Sequence, residues 1–190
     1  RLAAIRLALP SGMSLVVWTN LPRRQPTAGA AALAERQRFL EWAAANRIWL
    51  ANIDEVFHAG QPMRLHEYYR LELLKQTEVG LSRAAMILRY EILERFGGVH
   101  VALGSVVAQG EPSQPLDQAL GKLLARRGYA IAQHTEPGNL NAMRAGGIVA
   151  VLAARNHPIV HDILEHLAQD YEKTLSELLA TNAHPLSSPH

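Results

Sequence analysis

The sequence predicts an α/β fold, a mixed, mainly parallel sheet with helices on both faces. Three observations carry that reading. Short apolar runs at 15–18, 99–101, 129–132 and 148–152 alternate with longer segments of helical period. The run from Gly146 to Ala153 is almost continuously apolar, as expected of a central strand covered on both faces. The chain has 190 residues, 48% of them hydrophobic, enough for a sizeable core. A single domain over 1–180 and a disordered tail over 181–190 are expected.

Composition narrows the function classes. The net charge is only +2 with both signs mixed along the chain, so no basic face points to nucleic acid or to an anionic membrane surface. Cysteine is absent, which removes disulfides and thiolate metal sites but leaves the compartment open. No apolar run approaches the ~18 to 20 residues of a spanning helix, and the N-terminus lacks the order of a signal peptide. The phosphate-loop, dinucleotide, nucleophile-elbow and zinc-protease motifs do not occur.

In chain order, Arg1 to Leu9 reads as a helix stopped by Pro10-Ser11-Gly12, and Leu15 to Trp18 as a short buried strand. Trp18 belongs either to the core or to the wall of a cleft. Leu21 to Ala28 is a loop. Gly29 to Arg47 is an Ala-rich helix that the run Ile48-Trp49-Leu50 ends, and Ile53 to Phe57 is a strand or extended piece. Met63 to Thr77 is a helix with Leu65, Tyr68 or Tyr69, and Leu73 facing inward. Its alternating charges read as a solvated face.

Val79 to Val107 organises the rest. In its helix Leu81, Ala85, Leu88, Ile92 and Phe96 share one arc, with Arg83, Glu91, Glu94 and Arg95 opposite. Gly97 and Gly98 end the helix and turn the chain into a buried strand at Val99-His100-Val101. Arg89 lies inside the apolar arc. Either it snorkels to water, or it is held at a cleft floor to meet an anion or a sugar hydroxyl, for which its fork of donors is suited. Downstream, Gln109 to Pro115 is a loop, Leu116 to Arg127 a helix stopped by Gly128, and His134 to Asn141 a second loop. Asn156-His157-Pro158 opens the last helix, with Ile159, Ile163, Leu167, Tyr171, Leu175 and Leu178 on its buried face. His157, His161 and His166 do not make a metal set, because their spacing does not place them on one face with a carboxylate.

Ala84-Ala85-Met86-Ile87-Leu88-Arg89-Tyr90-Glu91-Ile92-Leu93, followed by Phe96-Gly97-Gly98-Val99-His100-Val101, resembles the core of the Asp-x-Asp glycosyltransferases of the large clostridial glucosylating toxins and related sugar-transferase effectors. The Leu-Arg step, its spacing to Gly-Gly and the flanking apolar runs carry the likeness. It implies a GT-A-like fold, here incomplete at both ends. The family's earlier strand, with an aromatic on the uracil, has no counterpart, and the loop that closes over the donor would follow this chain. It also implies transfer from a UDP-sugar to a host protein, with Mn²⁺ or Mg²⁺, by a bacterial virulence factor secreted or translocated into a host cell. The positions matching the donor site are Arg89, His100, Ala102, Gly104, Ala85 and Met86.

The departures from the pattern decide the expectation. Ala102-Leu103-Gly104 stands where the family has its metal-binding Asp-x-Asp, Ala85-Met86 where it has Ser-Asp, and His100 where it has Tyr. Hard cations need oxygen ligands, and these side chains supply none. No metal or other cofactor is therefore expected in this chain. Two expectations follow: a glycosyltransferase-like domain inactive as it stands, or a non-catalytic pseudoenzyme that binds protein.

Overall fold

The structure, a computed structural model, describes residues 2–9, 12–20, 30–101, 127–133 and 148–182. It is mixed α/β, with six helices and two small sheets among those residues. They fall into two compact units, described residues up to Met63 and those from Arg64 onward.

The first unit contains α1 (Leu2–Ala8), β1 (Leu15–Thr19), α2 (Ala30–Ala45), β2 (Ile48–Asn52) and α3 (Ile53–Val56). β1 and β2 pair in parallel, Leu15 opposite Ile48 and Thr19 opposite Asn52, so α2 lies in the crossover that a parallel pair requires. Ala43, Ile48, Ile53 and Phe57 are buried, and Trp18 meets Phe57 with ring centroids 6.0 Å apart. The run Ile48-Trp49-Leu50 that ends α2 opens β2. One expectation shifts here: the strand or extended piece expected at Ile53 to Phe57 is mostly helix. Local polar chemistry decides it. Asn52 Oδ1 accepts from the Glu55 N–H at 2.9 Å, and Asp54 and Glu55 sit in the first turn, where negative charge is favoured. Arg47, in the left-handed region with φ 54°, makes the tight turn from α2 into β2.

The second unit contains α4 (His66–Leu74), α5 (Glu78–Phe96), β3 (Gly98–Val101), β4 (Tyr129–Gln133), β5 (Ile148–Ala153) and α6 (Pro158–Asn182). Thr77 Oγ1 caps α5 by accepting from the Gly80 N–H at 3.0 Å. At the other end Gly97 (φ 67°) donates to the Leu93 carbonyl at 2.9 Å, and a Cβ there would stand 2.7 Å from the Arg155 nitrogen. The helix, the glycine break and the strand thus stand as expected.

The face that α5 buries does not. Gly80, Ala84, Ile87, Tyr90, Glu91, Ile92 and Leu93 are buried, whereas Leu81, Ala85 and Phe96 are exposed and Leu88 is half-buried. The inward stripe is rotated by about one residue, roughly 100°. Glu91 causes the misreading. Counted as wet from its charge, it is only 5% exposed, because its Oε1 accepts the Leu65 N–H at 2.7 Å just ahead of α4, and the Arg64 N–H adds a second bond. Burial pushes the Glu91 carboxyl up, against these bonds. At α4, Leu65 just ahead of it and Tyr69 within it are buried as expected, but Leu73 is exposed and Glu72 takes the inward place.

The sheet of this unit has the order β3-β5-β4, and both pairings are antiparallel. A mainly parallel sheet uniting 15–18, 99–101, 129–132 and 148–152 is therefore corrected: β1 pairs in the first unit's sheet, and β5 runs against both its neighbours. Its apolar run did indicate a central place. Val151, Leu152 and Ala153 are all buried, which covers both faces of the strand. β3, expected to be buried, is an edge strand among the described residues, with Val99 and Val101 exposed.

Glu91→Ala is expected to destabilise the protein by about 2–3 kcal/mol by stranding buried N–H groups, with Glu91→Gln recovering much of the loss. Urea unfolding of the three proteins measures this. Gly80→Ala is expected to cost about 1–3 kcal/mol, because its Cβ would lie 2.6 Å from the Glu72 carbonyl oxygen where α4 and α5 pack closely.

Candidate functional site

The second unit gathers a polar cluster from four elements: Arg89 and Tyr90 on α5, His100 on β3, Tyr129 on β4 and His157 ahead of α6. Gly98, Ala153 and Tyr129 are register partners at one end of the sheet, which sets Tyr129 and His100 on the same face. Gly128 (φ 65°) lets the chain enter β4 beneath His157; a Cβ there would be 2.8 Å from the imidazole. The His157 ring stacks on Tyr129 with centroids 5.7 Å apart and an interplanar angle of 21°.

His157 is also the cap of α6. Its Nδ1 accepts from the Ile159 N–H at 3.2 Å and its Nε2 lies 3.1 Å from the Arg127 carbonyl, which fixes the tautomer with the proton on Nε2. Pro158 stands at the first helical position, as expected. The capping role falls to His157, while Asn156, left-handed at φ 55°, donates its N–H to the Glu94 carbonyl at 2.9 Å.

Charge in the cluster is one-sided. Arg89 is half-buried, and burial lowers its affinity for the proton while the Tyr90 and Tyr129 hydroxyls oppose that. Burial, then the Arg89 guanidinium, hold His100 down to about 4, so the imidazole is neutral near pH 7. Its Nδ1 is buried without a well-formed hydrogen bond among the described residues, its own main chain being the smallest influence on it. Burial, then Tyr90, push Tyr129 up to about 12, with Arg89 pulling the other way. Arg89 thus stands beside a neutral His100 and a protonated Tyr129, a set that can orient an anion.

Of the positions matching the family's donor site, Arg89 and His100 are brought together. Ala85 is exposed and Met86 half-buried. Ala102 and Gly104 lie outside the described residues. Tyr90 and Tyr129 were not singled out by sequence reasoning, and His157 was weighed there only as a helix start and as a metal ligand. Only Gly128 immediately before Tyr129, a glycine that a close approach requires, hinted at them. In open parallel sheets ligands gather at the carboxyl ends of the strands, where Arg89 would be expected to point; here β3, β5 and β4 are antiparallel neighbours and share no such end.

Two further polar groups hold helices together. Glu72 is fully buried; its Oε1 accepts from Lys75 Nζ at 2.6 Å and the Tyr171 hydroxyl at 2.9 Å, with Arg83 at 3.8 Å. Tyr171 stacks on Tyr68 with centroids 4.6 Å apart. Burial alone would raise the Glu72 carboxyl, but Lys75, Tyr171 and Arg83 more than offset it and hold it below its usual value. Burial and Glu72 push Tyr171 up to about 12. On α6, His161 meets Glu94 at 2.9 Å, and Arg64 pairs with Glu165. His166 donates to the Asp162 carbonyl at 2.7 Å. The three histidines are dispersed to separate tasks, and no group of three or more His, Cys, Asp or Glu side chains among the described residues is placed to hold a metal ion.

No protein-family model, curated protein or solved structure matches this chain. No helix among the described residues is long and apolar enough to cross a membrane.

A lowered Glu72 contributes stability that is present above the ordinary Glu range and is lost as pH falls through the lowered value. Tyr171→Phe is expected to cost about 1–2 kcal/mol at pH 7 and to flatten that acid loss, as read from denaturant midpoints between pH 3 and 7.

Proposed function

We propose that this chain is a diverged GT-A-like nucleotide-sugar domain, related to toxin and effector glycosyltransferases, that has lost catalysis. The observation that supports this most is the unit running from α5 through Gly97 and Gly98 into β3. There the resemblance is most specific, and there Arg89 and His100 come together. A guanidinium beside hydroxyl and imidazole groups suits a diphosphate or sugar hydroxyls. Ala102-Leu103-Gly104 supplies no cation ligand at the strand end. Without a cation on the leaving diphosphate, transition-state stabilisation falls by several kcal/mol, a rate loss of roughly three or more powers of ten.

Calorimetry with UDP-sugars, with and without Mn²⁺, tests binding, and donor hydrolysis under the same conditions tests turnover. Metal-independent binding without hydrolysis is expected, and Arg89→Ala should weaken it with little loss of stability. Metal-dependent turnover would show that ligands come from elsewhere in the chain. A second reading, a pseudoenzyme that binds protein, draws on the exposed Leu71, Leu74, Val79 and Leu81 around the α4–α5 turn. No UDP-sugar binding at all would favour it.

A further inference from the structure

β3 is the most weakly held strand of its sheet. It has four residues and bonds only to β5 among the described residues, and β5 keeps its separate ladder with β4. Val99 and Val101 are exposed, so lifting β3 gives up little buried apolar area. What ties it down on the inner side is His100, opposite Val151, with its ring half-buried and Nδ1 fully buried. The charged group that acts on this ring is Arg89 from α5, which itself lies near the Tyr90 and Tyr129 hydroxyls; the β5 register partner of His100 is Val151, which does not titrate. A proton on His100 would put a second cation beside the Arg89 guanidinium in a poorly solvated place.

We infer that β3 is an acid-released edge strand: protonation of His100 beside Arg89 lifts β3 from β5 and α5, while the α5–α6 helices and the β4–β5 ladder stay folded. The sign follows from linkage. A histidine whose proton affinity is depressed in place takes up a proton on release, so opening is favoured as pH falls below the ordinary imidazole range. With a value of about 4 in place and 6.5 once released, opening becomes roughly twenty-fold more frequent at pH 5 than at pH 7.

Amide hydrogen exchange followed by NMR, corrected for intrinsic rates, reads this directly. Protection at those β3 amides whose N–H groups bond to β5, either His100 or its neighbours Val99 and Val101, should fall about twenty-fold from pH 7 to pH 5, while Ile87 and Leu164, both buried, keep theirs. His100→Gln should abolish the pH dependence. Arg89→Gln, which removes the neighbouring cation but keeps the histidine, should reduce it several-fold. Unchanged β3 protection in the wild-type protein would overturn the inference, as would parallel loss at Ile87 and Leu164. A wild-type pH profile in either variant would do the same.

Discussion

The second unit depends on one buried carboxylate. Glu91 projects from the inner face of α5 and takes main-chain N–H groups of Arg64 and Leu65, where the chain enters α4. A helix start has N–H groups without intrahelical partners, and in a packed interior these must be met by some acceptor. Supplying it from a neighbouring helix does two things at once. It fixes where α4 begins, and it fixes which side of α5 turns inward. Gly80, one turn before Ala84 on the same stripe, then lets the α4 main chain come close at the other end of the hairpin. Glu72, on the α4 turn that Gly80 meets, sets its buried carboxylate among Lys75, Arg83 and Tyr171.

This explains which parts of the fold were legible in the sequence. α5 with its Gly-Gly stop, the Pro158 start of α6 and the central position of β5 are written in local chemistry: a missing Cβ, a missing N–H, an uninterrupted apolar run. The rotation of α5 was not legible, because Glu91 and Glu72 look like surface residues until the partners that satisfy them are known, and those partners are twenty-six residues or more away for Leu65 and Tyr171. Strand direction was equally hidden. The runs at 99–101, 129–132 and 148–152 are the same whether their neighbours run with them or against them. Reading Ile53 to Phe57 as a strand or extended piece missed α3, because the Asn52 side chain already commits the segment to a helical turn.

The candidate site shows the same division. Arg89 stood out because a guanidinium on an apolar stripe needs a reason, and His100 because it replaces a tyrosine in the pattern the segment resembles. Tyr90 and Tyr129 gave no such signal, and His157 drew notice only as a helix start and a metal candidate. They matter because the Tyr90 and Tyr129 hydroxyls lie near the Arg89 guanidinium, and because the stack of His157 on Tyr129 ties the start of α6 to the sheet. A residue that caps a helix and props an aromatic has a structural task whatever the site binds, so its substitution would disturb the site through position rather than through contact.

The pairing pattern of the second sheet also bears on how the chain folds. α4 and α5 are joined by a short turn, and their contacts lie close in sequence. β3 finds its place only when residue 98 meets residue 153, after all of the intervening chain has been made. Loop closure over such a span is entropically costly and slow compared with helix formation. The helical hairpin can therefore form first, with Glu91 already engaged at Leu65, and serve as the template on which β5 docks; β3, which has the fewest ladder bonds and the longest closure, is the last strand to be recruited.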